Sequence, residues 1–171
     1  MKTLAVLSNI EGIPANATIV ERTAVRGIIR KDKNILLVHS EVNGDYKFPG
    51  GGVEAGETHI DTLLREVAEE CGVRIGQKIR AYGKTVEQRR NDVDGGADTE
   101  YFRMTSHYYF AEFIADFTKQ KLDHYEAELK FKPVWIPLQR AIAQNRRVME
   151  TGNVPIWTAR ETLVLESLLP K

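Results

Sequence analysis

The 171-residue chain has little cysteine, no long apolar run and no net charge. Cys71 is the only cysteine, so no disulfide can form within the chain, and a zinc site built on several cysteines is excluded as well. A lone free thiol fits a reducing compartment, and a cytoplasmic location is expected. No apolar run approaches the roughly 20 residues that span a bilayer. The opening MKTLAVLSNIEG has too short an apolar stretch for a secretory leader and reads as mature sequence. Lys plus Arg total 24 and Asp plus Glu total 24. That balance argues against binding a nucleic acid polymer or an anionic membrane through bulk charge. No repeat, low-complexity tract or Pro/Ser-rich linker interrupts the chain, so residues 1–171 are expected to form one domain.

What is present is ordinary globular composition, 42% apolar and 28% charged, in a chain long enough to bury a core. Residues 18–30 are rich in β-branched side chains and read as a strand. Asp32-Lys33-Asn34 follows as a turn, and Ile35 to Val42 reads as the second strand of a hairpin. Longer strand-like segments cover about 75–89 and 101–117, with the polar loop NDVDGGADT between them. A short strand is expected over 131–136, a short helix from Pro137 through Ala143, and an amphipathic helix over 153–169. Strands and helices interleave without regular βαβ spacing, which predicts an α+β domain with a mixed sheet covered by helices.

The clearest helix runs from Thr58 to Cys71, with Thr58 and Asp61 as a capping box and Gly72 as its stop. At about 100° per residue, Glu66, Glu69 and Glu70 share one face. Ile60, Leu63, Leu64, Val67, Ala68 and Cys71 form the apolar arc, which makes Cys71 a buried structural thiol rather than a nucleophile. Arg65 is spaced to pair with Asp61 or Glu69. Three like charges at i, i+3 and i+4 repel one another, and a hard divalent cation such as Mg²⁺ or Mn²⁺ turns that repulsion into attraction.

Gly51, Glu57, Arg65, Glu66, Val67, Glu69, Glu70, Gly72 and Val73 fit G-x5-E-x7-R-E-U-x-E-E-x-G-U, where U is aliphatic, at every fixed position of 51–73. The chain therefore resembles the Nudix (MutT-like) hydrolases. Phe48-Pro49-Gly50 before this box and Trp135-Ile136-Pro137-Leu138 near the end strengthen the resemblance. It implies the Nudix fold, a mixed sheet sandwiched between α-helices. It implies Mg²⁺- or Mn²⁺-dependent hydrolysis of a phosphoanhydride in a nucleoside diphosphate linked to a group X, with water attacking phosphorus. Carried onto this sequence, Glu69 and Glu70 are the central metal ligands, and Glu66 is a further ligand or the proton acceptor. The Gly50 carbonyl completes the inner shell, Glu57 ligates a metal or its waters, and Arg65 orients the glutamates. A general base on a later loop points to Glu126 or Glu128, with Glu128 put forward. Lys47, Arg26, Arg89 and Arg90 are candidates to meet phosphate, and Trp157 and Arg160 to touch a base, although core packing competes for Trp157.

The family markers that separate substrate classes fall on Gln88, Arg89 and Arg90. Neither the Pro of ADP-ribose types nor the Tyr of dinucleoside polyphosphate types is there. A nucleoside triphosphate or modified nucleotide is left by elimination. A non-catalytic, nucleotide-binding regulatory domain is the alternative, although such domains usually lose box glutamates. A homodimer is possible by the same resemblance. Net charge within 51–73 is −5, six acids against Arg65, so the neutral total conceals a concentrated carboxylate site and a positive remainder. Two other motifs fail: Gly83-Lys84-Thr85 lacks the upstream glycine of a P-loop, and Asp92-Val93-Asp94-Gly95 ends on Arg103 where a calcium loop needs Glu.

Overall fold

The computed structural model describes residues 1–90, 100–116, 119–152 and 154–170. In chain order the elements are β1 (Thr3–Ser8), β2 (Thr18–Lys31), β3 (Asn34–Ser40), β4 (Tyr46–Lys47), α1 (His59–Cys71), β5 (Val73–Ile75), β6 (Arg80–Arg90), β7 (Glu100–Asp116), α2 (His124–Glu128), β8 (Phe131–Pro137), α3 (Leu138–Glu150) and α4 (Ile156–Ser167). The sheet order is β1-β6-β7-β2-β3-β4, with β5 on β7 and β8 on β3. β1 lies parallel to β6 and β2 parallel to β7, while the other pairs are antiparallel, so the sheet is mixed as expected. No helix among the described residues is long and apolar enough to cross a membrane.

Residues Ala24 to Ile29 are all buried, as a strand covered on both faces must be. Their side chains alternate between two cores. Val25 and Ile29, with Leu36 and Val38, pack on Leu63, Val67 and Cys71 of α1. Ile28, with Ile35 and Leu37, packs on Phe48, Tyr108, Ala141 and Ile142 of α3, and Val164 and Leu165 of α4. The helices therefore sandwich the sheet, and Cys71 is buried as predicted.

Several elements depart from the sequence reading. β1 and α2 were not expected, since six and five residues carry too little periodicity to register. Of the strand read over 75–89, Ile75 ends the short β5 (Val73–Ile75), and the remainder is β6 (Arg80–Arg90). α3 runs on to Glu150, carried by Ala141, Ile142, Asn145 and Val148 on one buried face. Ile60, assigned to the apolar arc, stays 42% exposed in the first turn of α1. The loop expected over 91–99 and the expected helix start at Asn153 lie outside the described residues.

The feature that positions the site is a splay. β2 and β3 pair only at Arg30–Ile35 and Lys31–Asn34, beside the hairpin turn. Beyond it they part, and residues 46–53 fill the gap. Tyr46 and Lys47 pair with β3, while the Pro49 and Gly51 carbonyls accept from the Gly27 and Val25 amides at 2.8 and 2.9 Å.

Leu63 is fully buried beneath this splay. Leu63→Ala removes that packing and is expected to cost about 2–5 kcal/mol, read as a shift of the urea unfolding midpoint with an unchanged slope.

Candidate functional site

α1 starts and stops where its caps dictate. The Thr58 hydroxyl accepts the Asp61 amide at 3.2 Å, and the Asp61 carboxylate accepts the Thr58 amide at 3.1 Å. Gly72 ends the helix at φ 64°, its amide on the Ala68 carbonyl. Asp61 is thereby committed to the cap, and Arg65 does not pair with it. Arg65 instead forks onto Glu57, with Nε at 2.7 Å and Nη2 at 3.0 Å, while Nη1 reaches Glu66 at 2.8 Å and Glu69 at 3.2 Å. One guanidinium thus gathers three carboxylates through charge-assisted bonds. Its hydrogen bonds, with one from Thr62, lower the Glu57 carboxyl to about 2.

Glu70 is not on a solvated face. It is 1% exposed, and its two oxygens are taken by Lys47 Nζ and the Gly50 amide, each at 2.6 Å. Lys47 therefore supplies, from β4, the positive charge that the helix itself lacks beside Glu70. Gly50 adopts φ 136°, and a side chain there would collide with the Val25 carbonyl. A side chain on Gly51 would collide with the Glu66 carboxylate. The glycine run thus lets backbone lie directly against two acids. The Gly50 carbonyl accepts a hydrogen bond from Nη1 of the buried Arg26.

Glu126 approaches from α2. Carboxylate oxygens of Glu66, Glu70 and Glu126 all lie within 4.8 Å of one another. Burial, then the charge of Glu70, pushes the Glu126 carboxyl up to about 7. Burial and the same neighbour raise Glu66. Three carboxylates brought this close suit a hard dication, and their all-oxygen donor set fits Mg²⁺ or Mn²⁺. Glu69 and Glu57 turn instead to Arg65. Glu128 stands apart, its carboxylate 63% exposed and 3.3 Å from His124.

Beside the cluster opens a cavity of about 690 Å³. Its floor is one sheet face, carrying Leu7, Glu87, Arg89, Phe102, Met104, Arg22 and Arg26 on four adjacent strands. Lys47 and Phe131 stand on the side nearest the carboxylates, and Tyr125, Ile156, Trp157 and Arg160 come from α2 and α4. The structure brings Arg26, Lys47, Trp157, Arg89 and Arg160 to this one cavity; Arg90 does not line it. Trp157 is fixed by its Nε1, which donates to Asp45 at 2.8 Å. Sequence reasoning missed Glu87 and Glu161. Arg160 binds both, Glu161 at 2.7 Å through Nη2. No spacing rule links residues so far apart in the chain as Glu87 and Arg160, and only the fold could reveal that pair.

Comparison with known proteins follows the same lines. A family model described as the NUDIX domain matches residues 20–155. The ADP-ribose pyrophosphatase of Methanocaldococcus jannaschii is 47% identical over 53 residues, 29% of this chain and 31% of that protein. The CTP pyrophosphohydrolase of Escherichia coli is 32% identical over 71 residues, 38% of this chain and 53% of that protein. The matched stretches thus span from about a third to about half of these relatives. A solved structure described as a NUDIX hydrolase from Nitrosomonas europaea superposes with a TM-score of 0.55 at 18% identity, over 80% of this chain and 94% of that one, a likeness of fold. With the family match covering most of its length and the box helix, glycine segment and mixed sheet in place, this chain belongs to the Nudix family.

Proposed function

We propose that residues 1–171 act as one Nudix domain that hydrolyses a phosphoanhydride in a nucleoside diphosphate linked to X, X being further phosphate or a modified nucleotide's substituent. The observation that carries this reading is the close approach of Glu66, Glu70 and Glu126 beside a cavity lined by Arg22, Arg26, Lys47, Arg89 and Arg160. Carboxylates alone would repel a polyphosphate. Carboxylates holding a cation, next to guanidinium and ammonium groups, suit one.

In this reading Glu66, Glu69 and Glu70 would hold Mg²⁺ or Mn²⁺, with Glu57 and the Gly50 carbonyl sharing themselves between the ion and their partners Arg65 and Arg26. A bound divalent ion supplies Lewis-acid polarisation of the phosphoryl oxygens and lowers the pKa of bound water. Arg26 and Lys47 meet the phosphates at the near end of the cavity. Trp157, its indole fixed by Asp45, offers a face on which a base can stack. Glu126 takes the proton from the attacking water, a role its position supports better than that of Glu128, whose carboxylate pairs with His124 outside the cluster. The reaction is then water attack at phosphorus, with the leaving phosphate expelled on the opposite side.

The relatives' names put ADP-ribose and CTP on a substrate panel beside other nucleoside triphosphates, nucleotide sugars and dinucleoside polyphosphates. The chain is expected to release phosphate, pyrophosphate or a nucleoside monophosphate from at least one of these with Mg²⁺ or Mn²⁺. Glu70→Gln is expected to lower kcat at least about 100-fold while the circular dichroism spectrum is retained; a fully active variant on a confirmed substrate sinks the assignment. Carbon-13 NMR of the metal-free protein is expected to show the Glu126 carboxyl titrating at about 7. Being raised by burial and Glu70, it should fall on Glu70→Gln, and an ordinary carboxylate value in the wild type would count against its place beside Glu70.

A further inference from the structure

The segment that carries Gly50 is gripped at alternate residues by buried side chains from three helices. Asn145 of α3 accepts the Tyr46 amide at 2.7 Å and donates to the Tyr46 carbonyl at 2.9 Å. Glu161 of α4 accepts the Phe48 amide at 3.0 Å. Glu70 of α1 accepts the Gly50 amide at 2.6 Å. These contacts lie where β2 and β3 have parted and a continuous sheet would otherwise satisfy the backbone.

Glu161 is fully buried. One oxygen takes Phe48. The other takes Arg160 Nε at 2.9 Å and Nη2 at 2.7 Å, with the Tyr108 hydroxyl at 3.4 Å. Arg160 also binds Glu87, and both line the cavity. Buried ion pairs seldom stabilise a fold better than apolar side chains of the same volume, so stability alone does not account for a buried arginine between two acids. Glu70 has two duties, holding Gly50 and facing the carboxylate cluster. Glu161 has no part in that cluster and is free to serve as the segment's fixed anchor.

We infer that Glu161 is a positioning residue. It holds residues 47–50 so that Lys47 and Gly50 meet Glu70 in register, and through Arg160 it ties that register to the cavity wall at Glu87. α4 is in this sense part of the active-site scaffold. The inference rests on the hydrolase reading for its kinetic arm, and on cation binding alone for the other.

The test is Glu161→Gln in the full chain. The amide keeps the shape but must turn an N–H toward either Arg160 or the Phe48 amide. Mn²⁺ binding is measured by calorimetry, alongside kcat, KM and Tm. The Mn²⁺ affinity and kcat are each expected to fall about 10- to 100-fold, as for outer partners of metal ligands, with KM moving less than about threefold. A lower Tm with Mn²⁺ affinity and kcat per folded molecule unchanged is the mark of a merely structural residue and overturns the proposal. If Glu161→Gln does not fold, Tyr108→Phe removes only the hydroxyl beside Glu161. A loss of about two- to fivefold in Mn²⁺ affinity then supports the proposal and no loss overturns it. A wild type that binds Mn²⁺ but turns over no nucleotide defeats the hydrolase reading alone, because the affinities still decide the role of Glu161.

Discussion

The contact on which the site depends is the buried carboxylate of Glu70 between Lys47 and the Gly50 amide. It joins three things that the chain order separates: the splayed centre of the sheet, the glycine segment that fills the splay, and the face of α1 that carries the acids. A buried carboxylate is costly unless it is paired and hydrogen-bonded. Here an ammonium and a backbone amide compensate it, and in doing so fix the distance between helix and segment. Arg65 does the same outside, drawing Glu57, Glu66 and Glu69 together at the partly exposed edge. The acids are thus held by two partly buried cations, Lys47 and Arg65, before any external ion is considered.

The chemistry was legible in the sequence because it is local. Nine fixed positions within 51–73 run from the glycine segment through one helix and its cap to the start of β5, and spacing along a helix converts directly into direction in space. The layering was legible too, since residues 18–30 and 35–42 read as a hairpin of strands and Leu63, Val67 and Cys71 as an apolar helix face. What escaped depended on contacts between distant residues. Lys47 was read as a phosphate contact, and its pairing with Glu70 requires a strand from before the box to cross the helix. The sequence put Glu128 ahead of Glu126, and only the packing of α2 shows Glu126 beside Glu66 and Glu70 and Glu128 beside His124.

The cavity was the least legible part for a related reason. Leu7, Ser8 and Asn9 enter it from β1 and the residue beyond, and Ile156, Trp157 and Arg160 from α4, while the family match covers 20–155. Both ends of the chain therefore build the wall beside which the box stands. The zero net charge follows the same division. Acids concentrate on α1, while Arg22, Arg26, Lys47, Arg89 and Arg160 line the cavity beside them, so a neutral total covers a local arrangement of both signs.

Lys47 also carries a kinetic meaning. Its ammonium is tethered beside Glu70, so any divalent ion that Glu70 is to hold competes with a resident cation at high effective concentration. Such a competitor would weaken the equilibrium affinity of an ion at Glu70 and oppose its rebinding. Under the proposed hydrolase reading, loading of Glu70 would then follow the free ion concentration of the surroundings, and the cation would behave as an exchangeable co-substrate.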